Sequence, residues 1–148
     1  MKVIIAGSRS IDEYETVCKL IDHAKDRLGL EITEVVHGAA PGVDRLADRW
    51  AVEHSVEPAP FPAAWDDLTA PGAVIRTNKF GKKYNVKAGF QRNQRMAEYG
   101  EVLIAIWDGK SPGTYDMIER VKARNMRVII YQQRRGENGR CFWQCMAH

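Results

Sequence analysis

Apolar and polar positions follow two periods in turn along this chain, one suited to strands and one to helices. The run Lys2 to Ala6 (KVIIA) reads as a buried strand. Asp12 to Leu28 carries Val17, Leu20, Ile21, Ala24 and Leu28 at helical spacing, and Gly29 is placed to end that helix. Glu34 to His37 (EVVH) is a second strand, followed by a helix from about Gly42 to His54 with Val43, Leu46, Ala47, Trp50 and Ala51 on one face. Glu57 to Phe61 reads as a short third strand, and the prolines around Ala59 to Trp65 predict an extended connection. Ala88 to Tyr99 is helical, Val102 to Trp107 (VLIAIW) is a strongly apolar strand, Pro112 to Asn125 is a helix, and Arg127 to Tyr131 is the last strand.

One segment breaks the alternation. Ala73 to Val86 (AVIRTNKFGKKYNV) has two strand-like halves around Asn78 to Gly81, which predicts an inserted β-hairpin. The tail, residues 133–148, has no usable period and is expected to be an appendage that lays Phe142 and Trp143 on the body. The βαβα order implies an α/β fold, a doubly wound and mainly parallel sheet of about five strands with helices on both faces. Residues 1–132 form the domain, with the hairpin at about 73–86 as its insertion.

Composition narrows the class. With 45% hydrophobic and 28% charged residues in 148, the chain is of ordinary globular type and long enough for one sizeable core. The apolar run near the N-terminus is too short for a signal peptide and no window approaches a membrane span, so a soluble, cytoplasmic protein with no membrane partner is expected. Three cysteines, Cys18, Cys141 and Cys145, argue against a disulfide framework. Cys141, Cys145 and His148 lack a fourth local ligand, and His37 has no second ligand at metal spacing. No metal and no cofactor are therefore expected.

The net charge of +3 is mild, but its distribution is uneven. Arg76, Lys79, Lys82, Lys83, Lys87, Arg92 and Arg95 fall between Val74 and Met96 with no acid among them, a concentration able to steer an anion towards a nearby site. For Lys79, Lys82 and Lys83 a solvated, solubilising hairpin is an equal reading.

In a doubly wound sheet, ligands sit beyond the carboxyl ends of the strands, where helix N-termini present unpaired N–H groups. Three strand-to-helix turns have the composition for this. In AGSRS (6–10), Gly7 permits close approach, Ser8 and Ser10 offer hydroxyls and Arg9 can pair with phosphate. In HGAAPGVD (37–44), Gly38, Ala39 and Ala40 leave room, and Gly42 opens a helix whose dipole favours an anion. In WDGKSPGT (107–114), Gly109 and Gly113 make the turn, Ser111 and Thr114 offer hydroxyls and Pro112 is pre-set for a helix start. Each turn alone is common, and Asp44 and Thr114 also suit plain helix capping; their joint occurrence is what points to a ligand edge. Asp108 is placed to hold ribose hydroxyls or to cap the next helix, Trp65 and Trp107 to stack on a base or to join the core, and His37 to make a polar contact at its strand end.

These pieces resemble the SLOG superfamily in its YspA-type branch, found in bacteria and their phages and related to the Lonely Guy phosphoribohydrolases and the Rossmann-like domain of DNA-processing protein A. The matching stretches are GSRS, HGAAPGVDRLADRWA, PAAW, AGFQRNQRMAEY and IAIWDGKSPGTYDMI, nearly all of residues 2–131. The resemblance implies a Rossmann-like fold and a nucleotide or nucleotide-derived ligand. It sets Arg92 on the arginine of the Lonely Guy R-K-x-x-M helix, with Met96 matching and Asn93 in place of lysine. Gly113 and Thr114 fall on the glycine and threonine of the G-G-x-G-T-x-x-E turn, with Asp116 as the following acid. Arg92 and Asp116 are thereby implied as catalytic residues for hydrolysis of a nucleoside monophosphate's N-glycosidic bond, which needs a group that stabilises an oxocarbenium-like centre. Asp116 as a first-turn helix acid is the alternative. The resemblance also implies a homo-oligomer.

Two other readings stand beside nucleotide binding with or without hydrolysis. The basic segment, interleaved with Phe80, Tyr84 and Phe90, suits single-stranded nucleic acid, as the likeness to DNA-processing protein A also implies. A sensor or sequestering protein in a bacterium-phage conflict would use the same pocket without turnover.

Overall fold

The computed structural model describes all 148 residues. Its elements run β1 (Lys2–Gly7), α1 (Tyr14–Leu28), β2 (Glu34–His37), α2 (Val43–Glu53), β3 (Glu57–Pro60), β4 (Ile75–Thr77), β5 (Lys83–Asn85), α3 (Ala88–Tyr99), β6 (Val102–Trp107), α4 (Pro112–Ala123), β7 (Arg127–Arg135) and β8 (Cys141–Ala147). Six strands form one sheet in the order β3-β2-β1-β6-β7-β8, parallel except for β8, and β4 and β5 form a separate antiparallel hairpin. No helix is long and apolar enough to cross a membrane.

Strand periodicity divides the core. Side chains at odd positions of β1, Val3 and Ile5, join Val17 and Ile21 of α1 and Val43, Ala47 and Trp50 of α2 on one face. Ile4 and Ala6 join Met96 and Ala97 of α3 and Met117, Ile118 and Val121 of α4 on the other. A strand buried on both faces reads as a continuous apolar run, which is why KVIIA and VLIAIW stand out. Helix α1 ends where Gly29 turns to φ +62° and its N–H reaches the carbonyls of Lys25 and Asp26.

The sheet is one strand larger than the expected five. The tail residues after Gln132 extend β7 to Arg135 and return as β8, whose Trp143 packs on the α1–α2 face while Met146 packs on the other.

Sequence order reverses beside β1: from β1 the chain steps outward to β2 and β3, then crosses to β6 and steps the other way. The carboxyl ends of β1 and β6, Gly7 and Trp107, therefore open on a crevice that no connection covers.

Candidate functional site

A cleft of about 460 Å³ occupies this switch point, within the range of small-molecule sites. Its wall brings together, from the proposed residues, Gly7 and Arg9 of the first turn, Gly38 and Asp44 of the second, Trp65, Arg92 and Asn93, and Asp108, Ser111, Gly113 and Thr114 of the third. Ser8, His37, Ala39, Gly42, Arg76, Trp107, Gly109 and Asp116 are not on that wall.

Ser8 ties the turns to one another. It is buried, and its Oγ accepts from the Asp108 amide at 2.9 Å and lies 3.0 Å from Ser111 Oγ. Its carbonyl accepts from the amides of Ile11 and Val43, the latter at 3.4 Å, so the first residue of α2 hangs on the first turn. Ser8 holds the crevice together rather than presenting a hydroxyl to it.

The second turn is also engaged from within. The Ala39 amide donates to His37 Nδ1 at 3.0 Å, which leaves the ring proton on Nε2 to bond Asp48 Oδ2 at 2.7 Å. The Ala40 amide donates to Asp44 Oδ2 at 3.3 Å. Two of the N–H groups that HGAAPGVD offers to a phosphate, those of Ala39 and Ala40, are thus taken by side chains of the same stretch, while the N-terminus of α2 itself carries no side-chain cap. Ala39, at φ +57°, and Gly42, at φ +82°, shape this turn.

Asp44 and Arg92 form its charged floor. The Arg92 guanidinium donates through Nη1 to the carbonyls of Gly38 and Phe61, and its Nε donates to Asn93 Oδ1 at 3.1 Å. Burial lowers its pKa, Asp44 opposes that shift, and the nearby Arg9 and Arg95 add to it. Asp44 is 6% exposed, and burial pushes its carboxyl above the usual carboxylate range against the pull of Arg92 and the Ala40 amide. A raised folded-state pKa means that the native state holds this proton more tightly than the unfolded chain. Stability is therefore lost as pH rises from near the unfolded value of about 4 through the folded pKa. An Asp44→Asn variant lacks this loss, so its urea midpoint relative to the unsubstituted protein should move in its favour between about pH 4 and pH 7.5. A gap that does not change with pH would contradict the raised carboxyl.

The third turn is different. Asp108 accepts from the amides of Lys110 and Ser111, both at 2.8 Å, and from Ser111 Oγ at 3.0 Å. Burial would raise its carboxyl, but these bonds outweigh burial and hold it below the ordinary range. No side chain caps α4, and Pro112 at its first turn has no N–H to satisfy. The amides of Gly113 and Thr114 have no partner in the chain, and a Cβ at Gly113 would meet open space.

Asp116 lies one step behind the wall. Its Oδ2 accepts from Asn93 Nδ2 at 3.0 Å and from Arg120 Nε at 2.7 Å, an i,i+4 ion pair, while Asn93 also donates to the Gly113 carbonyl at 3.1 Å. Trp107 turns its ring towards Tyr115 and donates from Nε1 to the Ser111 carbonyl, so Trp65 is the indole on the cleft. Gly109 packs near Gln132, and Arg76 is exposed on β4.

Sequence reasoning passed over Gly89 and Met117, which line the cleft, gave Phe90 to a nucleic-acid surface, and did not place Met96 there. Gly89, Arg92, Asn93 and Met96 stand at helical spacings of three, four and seven, so the face of α3 that carries the arginine was legible once the helix was read.

The strand order and the crevice at its switch point define a Rossmann-like, doubly wound α/β domain. Residues 1–67, which carry the first two turns, match the model of the YspA, cpYpsA-related SLOG family. Over 136 residues the chain is 29% identical to the Gene 61 protein of Mycobacterium phage D29, an alignment covering 88% of this chain and 95% of that protein.

Proposed function

We propose that the cleft binds a nucleotide or nucleotide-derived ligand. The observation that carries this reading is the N-terminus of α4, where the unpartnered Gly113 and Thr114 amides open on a cleft that also holds Arg9 and Arg92. Two free amides at the positive end of a helix, with guanidinium groups across the gap, suit a phosphate. Asp108, held ionised by its amide bonds, is an acceptor for ribose hydroxyls. Trp65, Phe90 and Met96 supply the apolar wall on which a base can lie. The SLOG match supports a nucleotide-related ligand.

The geometry favours binding over the hydrolysis implied by the Lonely Guy likeness. Met117 stands where the motif has its glutamate, and the acid one residue before it, Asp116, is engaged by Asn93 and Arg120 outside the wall. The exposed hairpin, with Phe80 83% exposed at its tip beside Lys79, favours single-stranded nucleic acid as the second reading.

Calorimetry with a panel of nucleoside monophosphates and a short oligonucleotide separates the two. The expected result is saturable mononucleotide binding that weakens only mildly with salt. Oligonucleotide binding that falls steeply with salt, with no heat from any mononucleotide, would move the function to the hairpin.

A further inference from the structure

The two edges of the six-stranded sheet are unlike. At one edge, β3 carries Pro58 and Pro60, which have no N–H to offer a neighbouring strand. At the other, β8 (CFWQCMA) has no charged residue and no proline, and its unbroken one-to-one register with β7 leaves no bulge. Native edge strands are normally blunted by one of these devices.

The pairing of β7 with β8 fixes which backbone groups of β8 remain unused. Val128 and His148 exchange both N–H···O bonds, at 3.1 and 2.8 Å. In an antiparallel ladder such pairs alternate, so Met146, Gln144 and Phe142 also face β7. Cys141, Trp143, Cys145 and Ala147 therefore point their N–H and C=O groups away from the sheet, and none of these groups has a partner in the chain.

We propose that β8 pairs antiparallel with β8 of a second copy of this chain, about a two-fold axis at Gln144, joining the two sheets into one. A single register uses all four outward residues: Cys141 opposite Ala147, and Trp143 opposite Cys145, each pair occurring twice by symmetry. Shifting by one pair in either direction leaves an outward residue beyond the paired segment. In this register Phe142, 52% exposed in the single chain, lies beside Met146 of the second copy. A second copy fits this edge because its β8 offers the same four outward residues and, like this one, brings no charge to the ladder.

Sedimentation equilibrium of the full chain tests this first, with a dimer expected. Cys145→Pro removes an N–H that the β7–β8 ladder does not use, and should weaken association at least tenfold while leaving the far-ultraviolet dichroism unchanged. A second variant does not depend on that substitution folding. Gln144→Cys in a Cys141→Ser, Cys145→Ser background puts two thiols in a non-hydrogen-bonded pair, with Cα atoms about 4.5 Å apart, within disulfide reach. Mild oxidation should then give a reducible covalent dimer that the background protein does not form. A monomer at every concentration without that crosslink overturns the proposal, as does a dimer that is untouched by Cys145→Pro and does not crosslink.

Discussion

Gly42→Ala will lower the unfolding free energy by about 3 kcal/mol and disturb the cleft with it. Gly42 sits at φ +82° and ψ −131°, a region that L side chains rarely enter. A Cβ there would lie 2.5 Å from the Ser8 carbonyl oxygen and 2.6 Å from Arg9 Cα. Both are backbone atoms of the first turn, so relief requires that turn to move away from α2, and the Val43 amide then loses the Ser8 carbonyl. Alanine also removes freedom from the unfolded chain, which favours folding by only about 0.4–1 kcal/mol and does not offset the clash. Urea denaturation measures the sum. A loss under about 1 kcal/mol would mean that the two turns are not locked together as described.

Arg92→Ala should weaken nucleotide binding at least tenfold, equivalent to about 1.4 kcal/mol. The guanidinium lines the cleft and also bridges the Gly38 and Phe61 carbonyls, so its removal takes away both a charge for the anion and the brace across the second turn. Asp44 loses its nearest opposing charge and its carboxyl should rise further. Arg92→Lys should recover only part of the affinity, since an ammonium cannot span two carbonyls while facing a ligand. Calorimetry beside a denaturation curve separates the roles. Unchanged affinity with lowered stability would make Arg92 a brace alone.

Much of the architecture is legible in the sequence. The spans Glu34–His37, Ala88–Tyr99 and Val102–Trp107 fall where periodicity put them, because each is buried on a definite face and burial imposes the period. β8 was not readable for the opposite reason. It is an edge strand with five of seven residues exposed, so neither face of the sheet imposes an alternation on CFWQCMA. β7 likewise runs past Tyr131 into Gln132–Arg135, where ladder bonds to β6 and then to β8 hold a polar sequence in a strand.

The site divides along the same line. Small residues, a proline and short polar side chains at three strand ends were determined by the sequence, and so was their meeting at one edge once the order of strands and helices was known. Which amides of those turns stay open was decided by the tertiary structure. Asp44 and His37 take the Ala40 and Ala39 amides of their own turn, and no side chain caps α2 or α4, so the Gly113 and Thr114 amides stay open on the cleft. Composition also left Trp65 and Trp107 equivalent, and only packing turned one to the cleft and the other to Tyr115. Periodicity records whether a side chain is buried, a property averaged over a whole face. A hydrogen bond depends on where two particular atoms come to lie, and that is settled only when the three turns are brought within reach of one another.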